Sequence, residues 1–258
     1  MNKRGGYVVV CYNNEKEVIT FIKDVLYNQK IDLDIYVVVN SSLNKDAFID
    51  LNTTKFLYPE KNLGYLGALN YASEKINFQK YSFVCFSNTD LTFDSTQLLN
   101  SLCRKIDDAI ALISPRIING KRNQNPLSLK RPSKIKVLLV YLLTFSPIIY
   151  FLRKKLINSI NFSSQSLTYK DYDCYALHGS FLMFSVKHIH KFNFIHHQLL
   201  FGEEIYIAEQ CRNLKIRSVF SDTDIIYHNE NSTTSLLGFK NKLRYIRQAN
   251  KYILNKYY

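Results

Sequence analysis

Tyr81-Ser82-Phe83-Val84-Cys85-Phe86 is a short run of apolar and β-favouring residues that stops abruptly at Ser87-Asn88-Thr89-Asp90. Such a run, closed by polar turn residues, has the pattern of a buried strand. The pattern recurs upstream. Tyr7-Val8-Val9-Val10-Cys11 ends at Tyr12-Asn13-Asn14, Ile35 to Val39 ends at Asn40-Ser41-Ser42, and Thr54 to Tyr58 forms a weaker version. Helical patterns fill the gaps from Glu15 to Tyr27 and from Gly64 to Ile76. Alternation of this kind predicts an α/β fold with a parallel sheet. Ligands of such sheets bind beyond the carboxyl ends of the strands, and three polar turns are expected to meet there.

The second half reads differently. Tyr172 to Ser185 is β-like, Glu203 to Asn213 is helical, and Ile216 to Phe220 and Asp224 to His228 are short strands. No repeat and no Ser-, Pro- or Gly-rich linker divides the 258 residues. The expected organisation is one domain over 1–235, with a nucleotide-binding half (1–115), a basic apolar insertion (121–170) and an acceptor half (171–235), followed by a basic helix over 236–258.

Hydrophobic residues at 47% supply a core, and charged residues at 21% leave no signature of disorder. Five cysteines without a C-x-x-C pair exclude a zinc ribbon and a disulfide scaffold and suit a reducing compartment. The start of the chain is read as a cytoplasmic N-terminus. A net charge of +13 invites a nucleic-acid partner, but its distribution argues for none. Ala109 to Lys170 holds eleven basic residues and no acid, and Asn231 to Tyr258 holds six more, again with no acid. The rest of the chain is therefore mildly acidic.

Within the first basic stretch, Val137 to Leu152 is uncharged, with Lys134 and Lys136 before it and Arg153-Lys154-Lys155 after it. Sixteen helical residues reach roughly 24 Å, short of the ~30 Å hydrocarbon core, and Pro147 predicts a kink. A segment dipping into one leaflet, with its cations at headgroup level, fits this pattern; a buried helical hairpin is the other reading. Leu236 to Tyr258 reads as a basic amphipathic helix, either capping the domain or lying on a membrane surface.

Asn88 and Asp90, two apart after a buried strand, offer oxygen ligands suited to Mg²⁺ or Mn²⁺ beside substrate phosphates; a plain turn has the same sequence. Asn62-Leu63-Gly64-Tyr65-Leu66-Gly67-Ala68-Leu69-Asn70 is either a glycine loop opening a helix near an anion or an ordinary loop, and it lacks the Gly-Lys-Ser/Thr of a Walker motif. Glu203-Glu204 opens a helix, which suits the macrodipole and also suits a general base. His188, His190, His196 and His197 cluster in sequence without standard zinc spacing.

In this order the motifs resemble family-two glycosyltransferases of the GT-A fold, with the rhamnosyltransferase-like enzymes of bacterial O-antigen and capsule assembly as the nearest subgroup. Val8 to Asn13 is similar to the family's first strand and nucleotide turn, Val38 to Ser42 to its Val-Asp-Asn-x-Ser turn, and Asn62 to Asn70 to its Asn-x-Gly loop. Ser87 to Asp90 resembles an Asn-Pro-Asp variant of its metal motif, Gly179 to Met183 its Gly-x-x-Met strand, and Gly202-Glu203-Glu204 its Gly-Glu-Asp; His228 falls at its late His.

The resemblance implies a mixed Rossmann-like sheet and inverting, metal-dependent transfer. The sugar would pass from a nucleotide-diphosphate sugar, dTDP-rhamnose or a UDP-hexose, to a lipid-linked saccharide at the inner face of the cytoplasmic membrane. It implies Glu204, beside Glu203, as base; Tyr12, Asn13, Asn40, Ser42, Asn62, Gly64, Gly67, Asn70 and Asn88 on the donor; and Asp90, Asn88 and His228 at the cation. The chain departs from the family at Val39, where an Asp is usual, at Glu204 for Asp, at Phe194-Ile195-His196 for Phe-Asp-Glu, and at Tyr206 and Gln210 for Asp and Arg. A non-catalytic partner subunit of a polysaccharide assembly complex is the alternative these departures allow. A nucleotidyltransferase would need a basic first turn, which Tyr12-Asn13-Asn14 does not offer.

Overall fold

The computed structural model describes residues 3–41, 48, 51, 53–160, 171–196, 198–229 and 238–258. Among the described residues, ten strands form one mixed sheet: β1 (Arg4–Cys11), β2 (Asp32–Val39), β3 (Thr54–Leu57), β4 (Phe83–Ser87), β5 (Leu91–Phe93), β6 (Ile110–Asn119), β7 (Arg122–Asn123), β8 (Tyr172–Asp173), β9 (Phe181–Ser185) and β10 (Arg217–His228). The main order is β3-β2-β1-β4-β9-β6-β10-β5. The strands β3, β2, β1 and β4 run parallel. Between β4 and β6 lies β9, antiparallel to both. Strands from 1–115 and 171–235 thus share one sheet.

The helices are α1 (Glu15–Thr20, continued by a π-helical turn over Phe21–Leu26), α2 (Gly64–Lys75), α3 (Leu98–Lys105), α4 (Lys134–Leu143), α5 (Pro147–Ile160), α6 (Val186–Ile189), α7 (Glu203–Leu214) and α8 (Phe239–Tyr257). Alternation along β1 and β2 divides the core in two. Tyr7, Val9, Cys11, Val37 and Val39 face Val18, Phe21 and Leu102. Val8, Tyr36 and Val38 face Leu66, Leu69 and Ile207 on the other side. Burial on both faces explains the near-continuous apolar runs of these strands.

Three sequence expectations change. The β-like stretch from Tyr172 to Ser185 is two strands, because the backbone at Ala176 leaves the sheet to bridge Ser128. The strands expected over Ile216–Phe220 and Asp224–His228 are one, β10, interrupted between Ser221 and Ile225 by an irregularity where Asp222 pairs with Arg116 and Asp224 with Lys105. The uncharged segment is not one kinked helix. Leu143 ends α4 and Pro147 is the first residue of α5, a position where its missing N–H costs nothing.

Candidate active site

The carboxyl ends of β1, β2 and β4 bring their polar turns together as the alternation predicts. At the end of β1, Tyr12 and Asn13 are exposed, and Asn13 has φ 58°. Behind them Asn14 accepts from the Tyr12 N–H at 2.8 Å and donates to Glu17 at 2.9 Å and to Thr89 at 3.0 Å. Thr89 also donates to Glu17. Glu17 therefore ties the first turn to the turn carrying Asp90.

At the end of β2, Asn40 is buried, and its side chain is wholly engaged by the glycine loop. Its Oδ1 accepts from Leu63 N–H at 2.9 Å, and its Nδ2 donates to Asn62 Oδ1 at 3.0 Å and the Gly64 carbonyl at 3.1 Å. Asn62 accepts in turn from Gly64 N–H at 2.9 Å. Gly64 has φ 72°, and a Cβ there would lie 2.7 Å from the Leu199 carbonyl oxygen, so only glycine fits. Asn40 and Asn62 thus build the loop. Gly67 lies one turn further along α2, and Asn70 bonds to exposed Glu74 at 2.7 Å. Ser42 lies outside the described residues. Val39 is in the core.

After β4, Asn88 donates its backbone N–H to Ser180 at 2.9 Å. Asp90 is buried, and neither carboxylate oxygen has a hydrogen-bond partner. His228, at the end of β10, places Nε2 3.2 Å from Asp90 Oδ1, also without a hydrogen bond. Its Nδ1 lies 2.9 Å from Gln124 Oε1. With Nδ1 engaged by Gln124, Nε2 is the ring nitrogen that faces the carboxylate, and an imidazole nitrogen beside a carboxylate is a donor set that a cation can use. Among the described residues no three His, Cys, Asp or Glu side chains form a metal cluster. The pair therefore suits a cation completed by substrate oxygens, as hard cations at phosphate sites usually are.

The third component is the start of α7. Phe201 (φ 66°) and Gly202 (φ 86°) are consecutive left-handed residues. For a phenylalanine this is a strained conformation of the kind that gathers at functional sites. It delivers Glu203 and Glu204 as the first two helical residues. Burial pushes both carboxyls above their ordinary range, and for Glu203 the charge of Glu204 adds to the effect. Glu204 lies against Gly179, where a Cβ would stand 3.1 Å from its Oε1. Tyr65 joins the parts. Its hydroxyl donates to the Gly179 carbonyl at 2.7 Å, and burial, then the charges of Glu203, Glu204 and Asp90, raise its pKa.

Sequence reasoning passed over Tyr65, Glu17 and His178, whose ring packs edge-on to His228 at 5.8 Å. Tyr65 sat inside the Asn-x-Gly motif and His178 beside Gly179, so both motifs carried the signal. The histidine cluster dissolves: His188 meets the Asp108 carbonyl at 2.8 Å and His196 that of Gln198 at 3.2 Å, while His197 is outside the described residues. An open groove of about 540 Å³ flanks the turn before α7, lined by Gln198, Leu199, Arg244, Tyr245, Lys251 and Tyr252 among others.

Residues 7–191 match the family described as "Glycosyl transferase family 2". No curated protein matches the chain by sequence. Among solved structures, GalNAc-T7 with UDP, GalNAc and Mn²⁺ superposes with a TM-score of 0.56 at 12% identity, over 88% of this chain and 44% of that one. A mycobacterial protein gives 0.54 at 12% identity, over 96% and 74%. S. aureus TarS 1-349 gives 0.54 at 13%, over 98% and 72%. The chain therefore spans less than half the length of the first of these. The shared architecture is GT-A: a mixed sheet between helices.

Proposed function

The chain belongs to glycosyl transferase family 2, and on that premise we propose that it is an inverting transferase moving a sugar from a nucleotide-diphosphate sugar to a lipid-linked saccharide. The donor is dTDP-rhamnose or a UDP-hexose, the setting is bacterial surface-polysaccharide assembly, and the protein works peripherally at the inner face of the membrane. One observation carries this reading: Asp90 and His228 face each other at 3.2 Å, while half-buried Tyr65 bonds to the carbonyl of Gly179, the residue against which Glu204 packs.

Tyr12 and Asn13, exposed beyond β1, are placed for the nucleoside. The Asn62–Gly64 turn, braced by Asn40, sets the opening of α2. Asp90 and His228, with Asn88, would hold Mg²⁺ or Mn²⁺ together with the donor diphosphate. The chemistry supplied by the bound cation is neutralisation of charge on the departing diphosphate. Glu204 takes the acceptor hydroxyl proton as that oxygen attacks the anomeric carbon opposite the leaving group, and Glu203 stands beside it at the start of α7. The groove beside α8, with Arg244, Lys251 and two tyrosines, borders the turn carrying the base and is a reasonable acceptor approach.

The alternative, a non-catalytic partner subunit, draws on Val39: a core valine offers no donor contact where the family usually places an acid. Thermal unfolding with uridine, deoxythymidine or guanosine diphosphate, each with Mn²⁺ or chelator, separates the readings. Ligand at 100 times its Kd stabilises by about 2.7 kcal/mol, a shift of several degrees for a domain of this size. A metal-dependent shift with one nucleotide supports the transferase. No shift with any nucleotide overturns it in favour of the partner subunit.

A further inference from the structure

Nine of the 19 large apolar side chains exposed among the described residues fall between Ile135 and Leu152. They lie on α4, α5 and the turn joining them, at 40–73% exposure. Ile135, Leu138, Leu139 and Leu142 recur at helical spacing along one side of α4, while Val137 is buried. Phe145 follows in the turn, then Ile148 and Leu152 on α5. Scattered exposed apolar residues need no explanation, but a contiguous patch of this kind marks an interaction surface.

The hairpin is not loose. Arg247 of α8 stacks on the Phe145 ring at 4.0 Å, donates to the Thr144 carbonyl at 2.6 Å and reaches Thr144 Oγ1 at 3.2 Å. Ser133 caps α4 by accepting from Lys136 N–H. At its other side α8 packs Ala249 and Ile253 against Gly202. A single helix thus connects the apolar hairpin to the turn presenting Glu203 and Glu204.

Two features select the occupant. The apolar face is bordered by Lys134, Lys136 and Arg153, with no acid anywhere from Ala109 to Lys170. A second copy of the same face would bring like charges together, whereas an anionic lipid surface complements them. The ten residues of α4 rise only about 15 Å, and among the described residues no helix is long and apolar enough to cross a membrane. A leaflet-deep contact is what these dimensions allow.

We propose that the α4–α5 hairpin is a monotopic anchor: its apolar face enters one leaflet of an anionic bilayer, with Lys134, Lys136 and Arg153 at headgroup level. Bracing by α8 then holds the base-bearing turn at a fixed height above that leaflet, where a lipid-linked acceptor presents its sugar. This last step rests on the proposed transfer reaction; the anchoring itself does not.

The test is sedimentation of the full chain with vesicles of phosphatidylglycerol and phosphatidylcholine, or of phosphatidylcholine alone, without nucleotide or acceptor, so that failure of the transferase reading leaves it intact. Binding on the order of a hundredfold tighter to the anionic vesicles is expected, at about 1 kcal/mol for each of the three basic residues. L139E/I148E should abolish binding to both, with circular dichroism and Tm unchanged because both side chains are exposed. K136E/R153E should remove the anionic preference, and it serves as the check if the first variant fails to fold. Wild-type protein left in the supernatant, or variants that bind as wild type does, would overturn the proposal. So would a concentration-dependent dimer that L139E/I148E dissociates, since the patch would then belong to a second copy.

Discussion

Asp34 and Asp90 are both buried carboxylates, set at opposite ends of the parallel strands. At the amino end Asp34 accepts from the Tyr81 hydroxyl at 2.6 Å and from Arg4, with Lys80 at 3.4 Å and Lys55 at 3.9 Å. Burial pushes its pKa up, but the hydrogen bonds from Tyr81 and Arg4, with the nearby cations, win and hold it at about 2. At the carboxyl end Asp90 has no hydrogen-bond donor among the described residues, only His228 Nε2 at 3.2 Å. Buried carboxylates normally have their charge compensated. One end of the sheet meets that requirement with several protein groups, and the other with a single imidazole. The contrast teaches where the fold is stabilised and where it waits for a ligand.

The sharpest way to break the contrast is at the base. Glu204→Gln is expected to lower transfer by roughly 10²–10⁴-fold with the melting curve intact, read as release of nucleoside diphosphate from the donor. Wild-type activity should also carry an acid limb. The base works only as carboxylate, and burial raises its pKa above the ordinary 4.5, so the rate falls as pH drops through that raised value. A flat profile down to pH 4.5, or full activity in the variant, removes Glu204 from the reaction.

Asp90→Asn should cost roughly 10²–10³-fold, the scale of losing one preorganised electrostatic contact, and should abolish the Mn²⁺-dependent part of nucleotide stabilisation. In chelator its Tm should equal that of wild type, since the substitution removes no hydrogen bond made among the described residues. Asp34→Asn is the opposite case. The Tyr81 hydroxyl loses a charged acceptor, costing roughly 1–3 kcal/mol, so Tm drops by several degrees while kcat is unchanged. If Asp34→Asn impairs turnover, or Asp90→Asn mainly unfolds the protein, the two ends do not divide the work in this way.

What was legible in the sequence follows the same division. The strands β1, β2 and β4 are buried on both faces and end in polar turns, so their runs and the convergence of those turns could be read locally. The position of β9 between β4 and β6 rests on pairings about a hundred and about seventy residues apart along the chain, and no local pattern encodes them. Pro115 lies within β6 and hides it, because proline argues against a strand. The Asp222–Asp224 irregularity splits β10 into two apparent strands. At the site, Asp90, Glu204 and His228 were visible as polar residues at element ends. Asn40 was read as a donor contact, and only the structure shows its amide consumed by the 62–64 turn. Tyr65 looked like one helical residue among many; its importance comes from packing against Gly179, 114 residues away.

The smallest expected effect concerns Glu203, the partner of the base. Its pKa is raised first by burial and then by the charge of Glu204. A group whose folded pKa lies above its unfolded value favours the folded state while protonated, and that contribution is lost as pH rises through the folded value. Glu203 is therefore a liability to the fold once pH passes its raised pKa. Glu203→Gln keeps the shape and removes the charge. At pH 4, where both side chains are neutral, its Tm should match that of wild type. As pH rises through the raised pKa the variant should become the more stable of the two, by a degree or a few. A variant with wild-type stability at every pH would show that the two carboxyls do not act as a pair, leaving Glu204 to work alone.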